Sequence, residues 1–211
     1  MKTGHFLMGL LLIISTVALG QATSKQSYFG IRTGYLRAST QLTNSLLNYS
    51  LPSVSLAGVA PRNSFYGGVF YQHALSRWIA YRIELNYQQK GIQNQDFDGN
   101  TLFQQKFHYV GVTPLIGITP VSGLGLFVGP EANVYFGKSA WSEHASLVEL
   151  GISGRASYRY KWIGVDVGYF KSFNEYTHVD LGNIRFGFKN QTWQVGLIFV
   201  PTMLTTRKPD N

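Results

Sequence analysis

The sequence predicts an all-β protein: a closed, eight-stranded, antiparallel up-and-down transmembrane β-barrel. Three observations predict it. Eight segments alternate with period two, short and long connections alternate between them, and charged residues make up only 13% of the chain. Strand side chains point alternately to the two faces, so apolar residues at every second position give one oily and one wet face. Soluble domains carry about 25% charged residues. A chain of 211 residues with 13% charged and 15% aromatic residues lacks the coat that water demands.

The chain begins with a leader. Lys2 is followed by an apolar run, Phe6 to Leu19, of 14 residues, and Ala18-Leu19-Gly20 ends it with small residues at the −3 and −1 positions. Such a run is too short to cross about 30 Å of hydrocarbon as a helix, so 1–20 is expected to be a signal peptide. Residues 21–203 are then the barrel and 204–211 a short periplasmic tail.

The first strand is "YFGIRTGYLR" (28–37), with Phe29, Ile31 and Tyr35 opposite Gly30, Arg32 and Gly34. The second is "FYGGVFYQHAL" (65–75). The third (78–90) carries "YRIELNYQQKG", with Tyr81, Ile83, Leu85 and Tyr87 against Arg82, Glu84, Asn86 and Gln88. The fourth is "FHYVGVTPLIGI" (107–118) and the fifth "LGLFVGPEANVYFG" (124–137), with Leu126 and Val128 opposite Gly129 and Glu131. The sixth, "VELGISGRASYRY" (148–160), sets Ile152 against Arg155 and Arg159. The seventh, "IGVDVGYFKS" (163–172), sets Val165 and Val167 against Asp166, and the eighth, "TWQVGLIFV" (192–200), carries Val195 and Leu197. "GNIRFGFKN" (182–190) alternates in the opposite phase and is expected to be the upper part of the last strand, joined through a bulge near Gln191.

Connections at 76–77, 119–123 and 161–162 are tight, whereas 38–64, 91–106, 138–147 and 173–181 are long. Barrels of outer membranes have short periplasmic turns and longer extracellular loops, which puts both termini in the periplasm. Strands of 10 to 14 residues also suit a tilted crossing of the bilayer.

Two arrangements fit the alternation. A lipocalin-like barrel turns its oily face inward, but its outer coat would here be glycine, serine and threonine. The membrane arrangement turns Ile83, Leu85, Leu126, Val128, Ile152, Val165, Val167, Val195 and Leu197 toward lipid. Aromatics near strand ends, such as Phe29, Trp78, Tyr87, Phe107, Phe136 and Trp162, then form girdles at the interfaces. Arg32, Arg82, Glu84, Glu131, Arg155, Arg159 and Asp166 project into the lumen as a polar network, with Glu131 and Arg155 as the favoured pair. Eight strands leave room only for side chains, so these charges read as a plug rather than an ion path. On these faces Ile83→Lys is expected to hurt assembly far more than Asn86→Lys.

The absence of cysteine excludes disulfides, thiolate metal sites and a thiol nucleophile. The net charge of +8, or +7 once Lys2 leaves, is scattered without a basic stripe, so no nucleic-acid partner is expected. No cofactor or metal is expected either; "DFDGN" (96–100) begins like a calcium loop but lacks the downstream glutamate. His108, His144 and His178 lie near loop ends with Ser139, Ser142, Glu143 and Glu175 in range, but form no recognisable catalytic motif, and G-x-S-x-G does not occur.

"FGIRTGY", "GGVFYQHALSRWIAYRIELNYQQKG", "YVGVTPLIGITP", "LGLFVGPEANVYFGKSA" and "NQTWQVGLIF" together resemble the PorT-type outer-membrane β-barrel domain of Gram-negative bacteria, over roughly 28–200. The resemblance implies a small OmpA- or OmpX-like eight-stranded barrel in the cell outer membrane. The family's namesake is associated with a protein secretion and gliding apparatus, while most members have no assigned activity. The chain departs from the rule of a terminal aromatic, since Phe199 is followed by further residues. Phe199, Gly196 and Gln194 still offer a signal to the barrel assembly machinery.

The expected function is therefore non-catalytic: a structural or partner-binding barrel. Its partners are outer-membrane lipids and, through loop 38–64 with its apolar Leu46, Leu47, Leu51 and Val54, other envelope proteins. The alternatives are a component of a secretion or transport assembly, and a lipid-modifying enzyme.

Overall fold

The computed structural model describes residues 27–45, 59–95, 101–136, 146–181 and 184–201. The expected leader, the tail, most of loop 38–64 and "DFDGN" lie outside the described residues. Ten strands follow in chain order: β1 Ser27–Ser45, β2 Val59–Ala60, β3 Arg62–Ala74, β4 Ile79–Gln95, β5 Thr101–Ile118, β6 Leu124–Tyr135, β7 Val148–Tyr160, β8 Ile163–Ser172, β9 Thr177–Leu181 and β10 Ile184–Phe199. Eight long strands make a ring in the order β1-β3-β4-β5-β6-β7-β8-β10, and β10 pairs back onto β1. All pairs are antiparallel, so the expected closed eight-stranded barrel is borne out. Closure leaves the ring with no open sheet edge, which a wall surrounded by hydrocarbon requires. β2 and β9 are short additions at the loop end, pairing with β4 and β10.

The tight turns fall where the sequence places them. Ser76 N–H donates to Ile79 O (3.0 Å), and the Ser76 hydroxyl accepts from Ile79 N–H (3.1 Å). Lys161 takes a left-handed φ of 56° in the two-residue turn before Ile163.

Two expectations change. β1, β4 and β5 run well past positions 37, 90 and 107 into stretches read as loops. Residues there, such as Ser39, Thr40, Gln41, Gln93 and Gln104, are polar on both faces, so the pairing continues while the alternation disappears. The bulge near Gln191 is absent: β10 pairs with β1 in unbroken register from Phe199↔Ile31 to Arg185↔Ser45. The apparent phase change arises because Phe188 sits on the inward phase of β10 and packs under the barrel mouth.

The wall has the two faces that the alternation requires. Ile83, Leu85, Leu126, Val128, Ile152, Val165, Val167, Val195 and Leu197 all lie exposed on the outside, from 41% for Val167 to 55% for Val195. Inside stand charged, amide and aromatic side chains together. Large residues fit because inward glycines lie beside them: a Cβ on Gly30 would strike the Phe70 ring, one on Gly151 the Phe170 ring, and one on Gly168 the Arg155 side chain. Glycine is therefore the space-maker of the narrow interior rather than its filling.

Candidate functional site

The lumen holds the densest chemistry. Among the described residues five cations are buried, and four of them, Arg32, Arg82, Lys90 and Arg155, pair with four buried carboxylates, Glu84, Glu131, Glu149 and Asp166, while the fifth, Arg62, donates to the carbonyls of Lys90 and Gln105. Arg32, from β1, bonds Glu84 on β4 and Asp166 on β8. In the ring order β4 and β8 are diametrically opposite, so this one guanidinium braces the barrel across its width. Its planar fork suits two carboxylates at once, which a lysine ammonium does not match. Arg32 also donates to Gln194 Oε1 (3.1 Å) and lies 4.7 Å from the Tyr66 ring centre.

The neighbouring charges extend the brace. Arg155 Nε is 3.3 Å from Glu84 Oε2, and its Nη2 is 3.1 Å from Glu131 Oε2. Glu131 accepts from Gln88 Nε2 (2.7 Å) and Asn133 Nδ2 (3.0 Å). Arg82 lies between the Phe70 and Phe127 rings, 4.6 and 4.4 Å from their centres, and donates twice to Gln72 Oε1. Toward the loop end Lys90 Nζ reaches Glu149 Oε2 at 2.5 Å, and Asn190 Nδ2 donates to Glu149 Oε1 at 2.6 Å. Burial of a lone charge costs several kcal/mol, and only close pairing with further hydrogen bonds offsets it. Within the ion-pair network four cations face four carboxylates, which meets that condition.

Aromatic layers close both ends. Tyr28, Phe70, Ile198 and Val200 cluster toward the turns. Phe107, Tyr109, Tyr135 and Tyr176 cluster toward the loops, with Phe188 against them. Tyr176 is drawn in by three bonds: its N–H to Phe188 O (2.9 Å), its carbonyl from Ser146 N–H (2.7 Å), and its hydroxyl with Thr40 Oγ1 (3.2 Å).

Among the expected lumen residues, Arg32, Arg82, Glu84, Glu131, Arg155 and Asp166 meet in this network, and Glu131 and Arg155 are in contact. Arg159 does not join it. It is half-buried at the turn end, stacked 4.4 Å from the Tyr28 ring centre and donating to Lys161 O. Asp166 is diagonal to it across the β7–β8 pair, since Arg159 pairs with Gly164 and Ser157 with Asp166, but its guanidinium turns to the Tyr28 ring and the Lys161 carbonyl instead. Lys90 and Glu149 belong to the network although the sequence reading left them out. Both sit on inward phases of predicted strands, Lys90 as the last residue of 78–90 and Glu149 as the second of 148–160. Phe107 is a further correction: it is 2% exposed and points inward, because the outward phase of β5 is His108, Val110 and Val112.

The expected catalytic candidates do not converge where they are described. His108 Nδ1 hydrogen-bonds the Tyr87 hydroxyl (2.7 Å) on the outer wall, with Phe136 nearby. Glu175 lies against Gly187, on the outward phase of β10. His144, Ser139, Ser142, Glu143 and the side chain of His178 lie outside the described residues. Among the described residues no His, Asp and Glu cluster is arranged to hold a metal ion.

No family model matches the chain, and no curated protein matches it. Among solved structures, the outer membrane protein OprG of Pseudomonas aeruginosa matches with a TM-score of 0.50 at 11% identity, over 84% of this chain and 97% of that one. Ail of Yersinia pestis in a phospholipid bilayer nanodisc matches at 0.48 and 17% identity, over 84% and 100% of the two chains. AlkL in lipid bilayers matches at 0.48 and 12%, over 91% and 97%. The OprG likeness shows the fold.

Proposed function

We propose that the chain is a small outer-membrane β-barrel whose lumen is a side-chain plug, and that it acts without catalysis, by binding partners at its loop end. The observation that carries this reading is the two-faced wall: a continuous apolar exterior around an interior of four paired cations and carboxylates. An apolar exterior with the carboxylates kept inside is what hydrocarbon selects, and an interior filled by paired side chains is what eight strands enclose. The loops opposite the tight turns, 38–64 above all, are the surface this reading assigns to recognition. The segments resembling the PorT-type domain support membership of that family and, as a second reading, a place in an envelope secretion assembly.

Planar-bilayer recording tests the plug. The purified barrel is expected to give no steady current of porin size. A stable open-channel conductance of that size would show a continuous water path and reject the filled lumen.

A further inference from the structure

Every described acidic side chain on the ring strands points inward: Glu84, Glu131, Glu149 and Asp166. On the ring strands the outward-facing charges among the described residues are therefore cations, and three of them lie on one side; a carboxylate off the strands, Glu175, lies near them against Gly187, two residues from Lys189 on the outward phase of β10. Arg37 on β1 and Lys171 on β8 are exposed, and Lys189 on β10 is half-buried. The register places them around Gln191. Lys171 pairs with Gln191, Lys189 precedes it by two on β10, and Arg37 is diagonal to it, because Gln191 pairs with Ser39. Paired residues have Cβ atoms about 5 Å apart and diagonal ones about 7–8 Å, within reach of long side chains. Gln191 is itself held, accepting from Gln41 Nε2 at 2.6 Å. None of the ion pairs among the described residues involves these three cations.

Next to them, toward the turns, the outer wall is hollowed. An apolar groove of about 390 Å³ is lined by Val128, Gly154, Ala156, Val167, Tyr169 and Trp193. Its row runs directly to the cations, since Gly154 pairs with Tyr169, Tyr169 with Trp193, and Trp193 with Arg37. The floor is Gly154. A Cβ there would meet nothing within 4 Å, and its φ is not left-handed. Neither crowding nor backbone geometry calls for glycine at this point of a strand, where it weakens the pairing, and such glycines mark places where another molecule comes close.

We propose that this face holds one phosphorylated lipid of the lipid A type, with a phosphate on Arg37, Lys171 and Lys189 and an acyl chain in the groove over Gly154. The proposal rests on the reading that the wall faces the outer membrane, where the cations lie at the loop end. Lysine and arginine bind phosphate by charge-assisted hydrogen bonds. Tyr169 and Trp193, with ring centres 4.7 Å apart, are amphipathic residues of the kind that sit at headgroup level. A second copy of the chain fits the face less well, because a two-fold contact would set the same three cations against each other.

Native mass spectrometry in detergent tests it, using bisphosphorylated lipid A and the same lipid with its phosphates removed. Three proteins are compared: wild type, R37Q/K171Q/K189Q, and G154L, which fills the groove without touching a charge. Retained heat-modifiable gel mobility establishes that each barrel is closed. Wild type is expected to carry one bisphosphorylated lipid. The triple variant and the dephosphorylated lipid each lose at least tenfold in affinity, and G154L loses at least threefold. Equal binding by all three closed barrels, no adduct on wild type, or a dimer that G154L abolishes would overturn the proposal. Loss of lipid binding by a barrel that still inserts into vesicles rejects this site alone; failure of wild type to insert rejects the membrane reading beneath it.

Discussion

Arg32→Met is expected to destabilise the barrel by about 3–5 kcal/mol, the cost of removing one partner from a buried ion pair. The reason lies in what remains. Glu84 keeps Arg155 at 3.3 Å and Arg82 at 3.5 Å, but Asp166 keeps a single cation among the described residues, Arg82 at 4.0 Å, and a long 3.4 Å bond from the Tyr66 hydroxyl. The ion-pair network then holds three described cations against four carboxylates, and the brace between opposite strands is gone. Adding Asp166→Asn restores the balance and removes the worst-placed charge. The double variant R32M/D166N is therefore expected to recover much of the loss, whereas R32M/E84Q, which leaves Asp166 charged, recovers less. Urea titration of tryptophan fluorescence, with the barrel folded in lipid vesicles, measures all four proteins, and the non-additivity reports the coupling directly. A loss below about 1 kcal/mol for Arg32→Met would mean that the network does not hold the fold.

Ile83→Lys is the second large effect. Ile83 is 47% exposed on the outer wall, paired with Tyr71 on one side and Pro114 on the other. It lies four residues from the β3–β4 turn, well inside the apolar band. A lysine near the middle of a bilayer costs about 2–4 kcal/mol on the lipid face of a barrel. On a water-washed strand the same change stays within about 0.5 kcal/mol. The same titration, with Ile83→Val as the control, separates the two cases by size alone. The contrast with Asn86→Lys that the alternation suggests does not survive the structure. Asn86 is 1% exposed, with Oδ1 3.4 Å from Arg32 Nη1 and Nδ2 3.2 Å from Glu84 Oε2. A lysine there sets a further cation against Arg32, so the inward substitution is costly too, through charge and crowding rather than through lipid.

These residues also show what sequence makes visible. Alternation is a local property, and where one face is uniformly apolar it marks both the strand and its orientation, as at 81–88 and 163–168. Tight turns are local as well, and 76–77 and 161–162 stand out by what flanks them. The upper parts of β1, β4 and β5 are largely polar without regular alternation, so little local distinguishes a strand from a loop there. Pairing across the lumen is not local at all. Nothing near Arg32 in the sequence points to Asp166, because their meeting depends on the register and stagger of the closed ring. The same holds for Phe70 and Phe170, whose inward position becomes possible only beside Gly30 and Gly151 on neighbouring strands.

The central claim is that the apolar wall faces hydrocarbon while the charges stay inside. The chain has no cysteine, so a single cysteine can carry a nitroxide at a chosen place. Val195→Cys puts the label on the outer wall at a position 55% exposed, and Lys161→Cys puts a reference label in the β7–β8 turn. With the barrel in lipid vesicles, the label at 195 is expected to collide strongly with oxygen and weakly with a water-soluble nickel chelate, and the label at 161 the reverse. Nickel-chelate collisions at 195 as frequent as those at 161 would contradict the account, because the apolar wall would then be facing water.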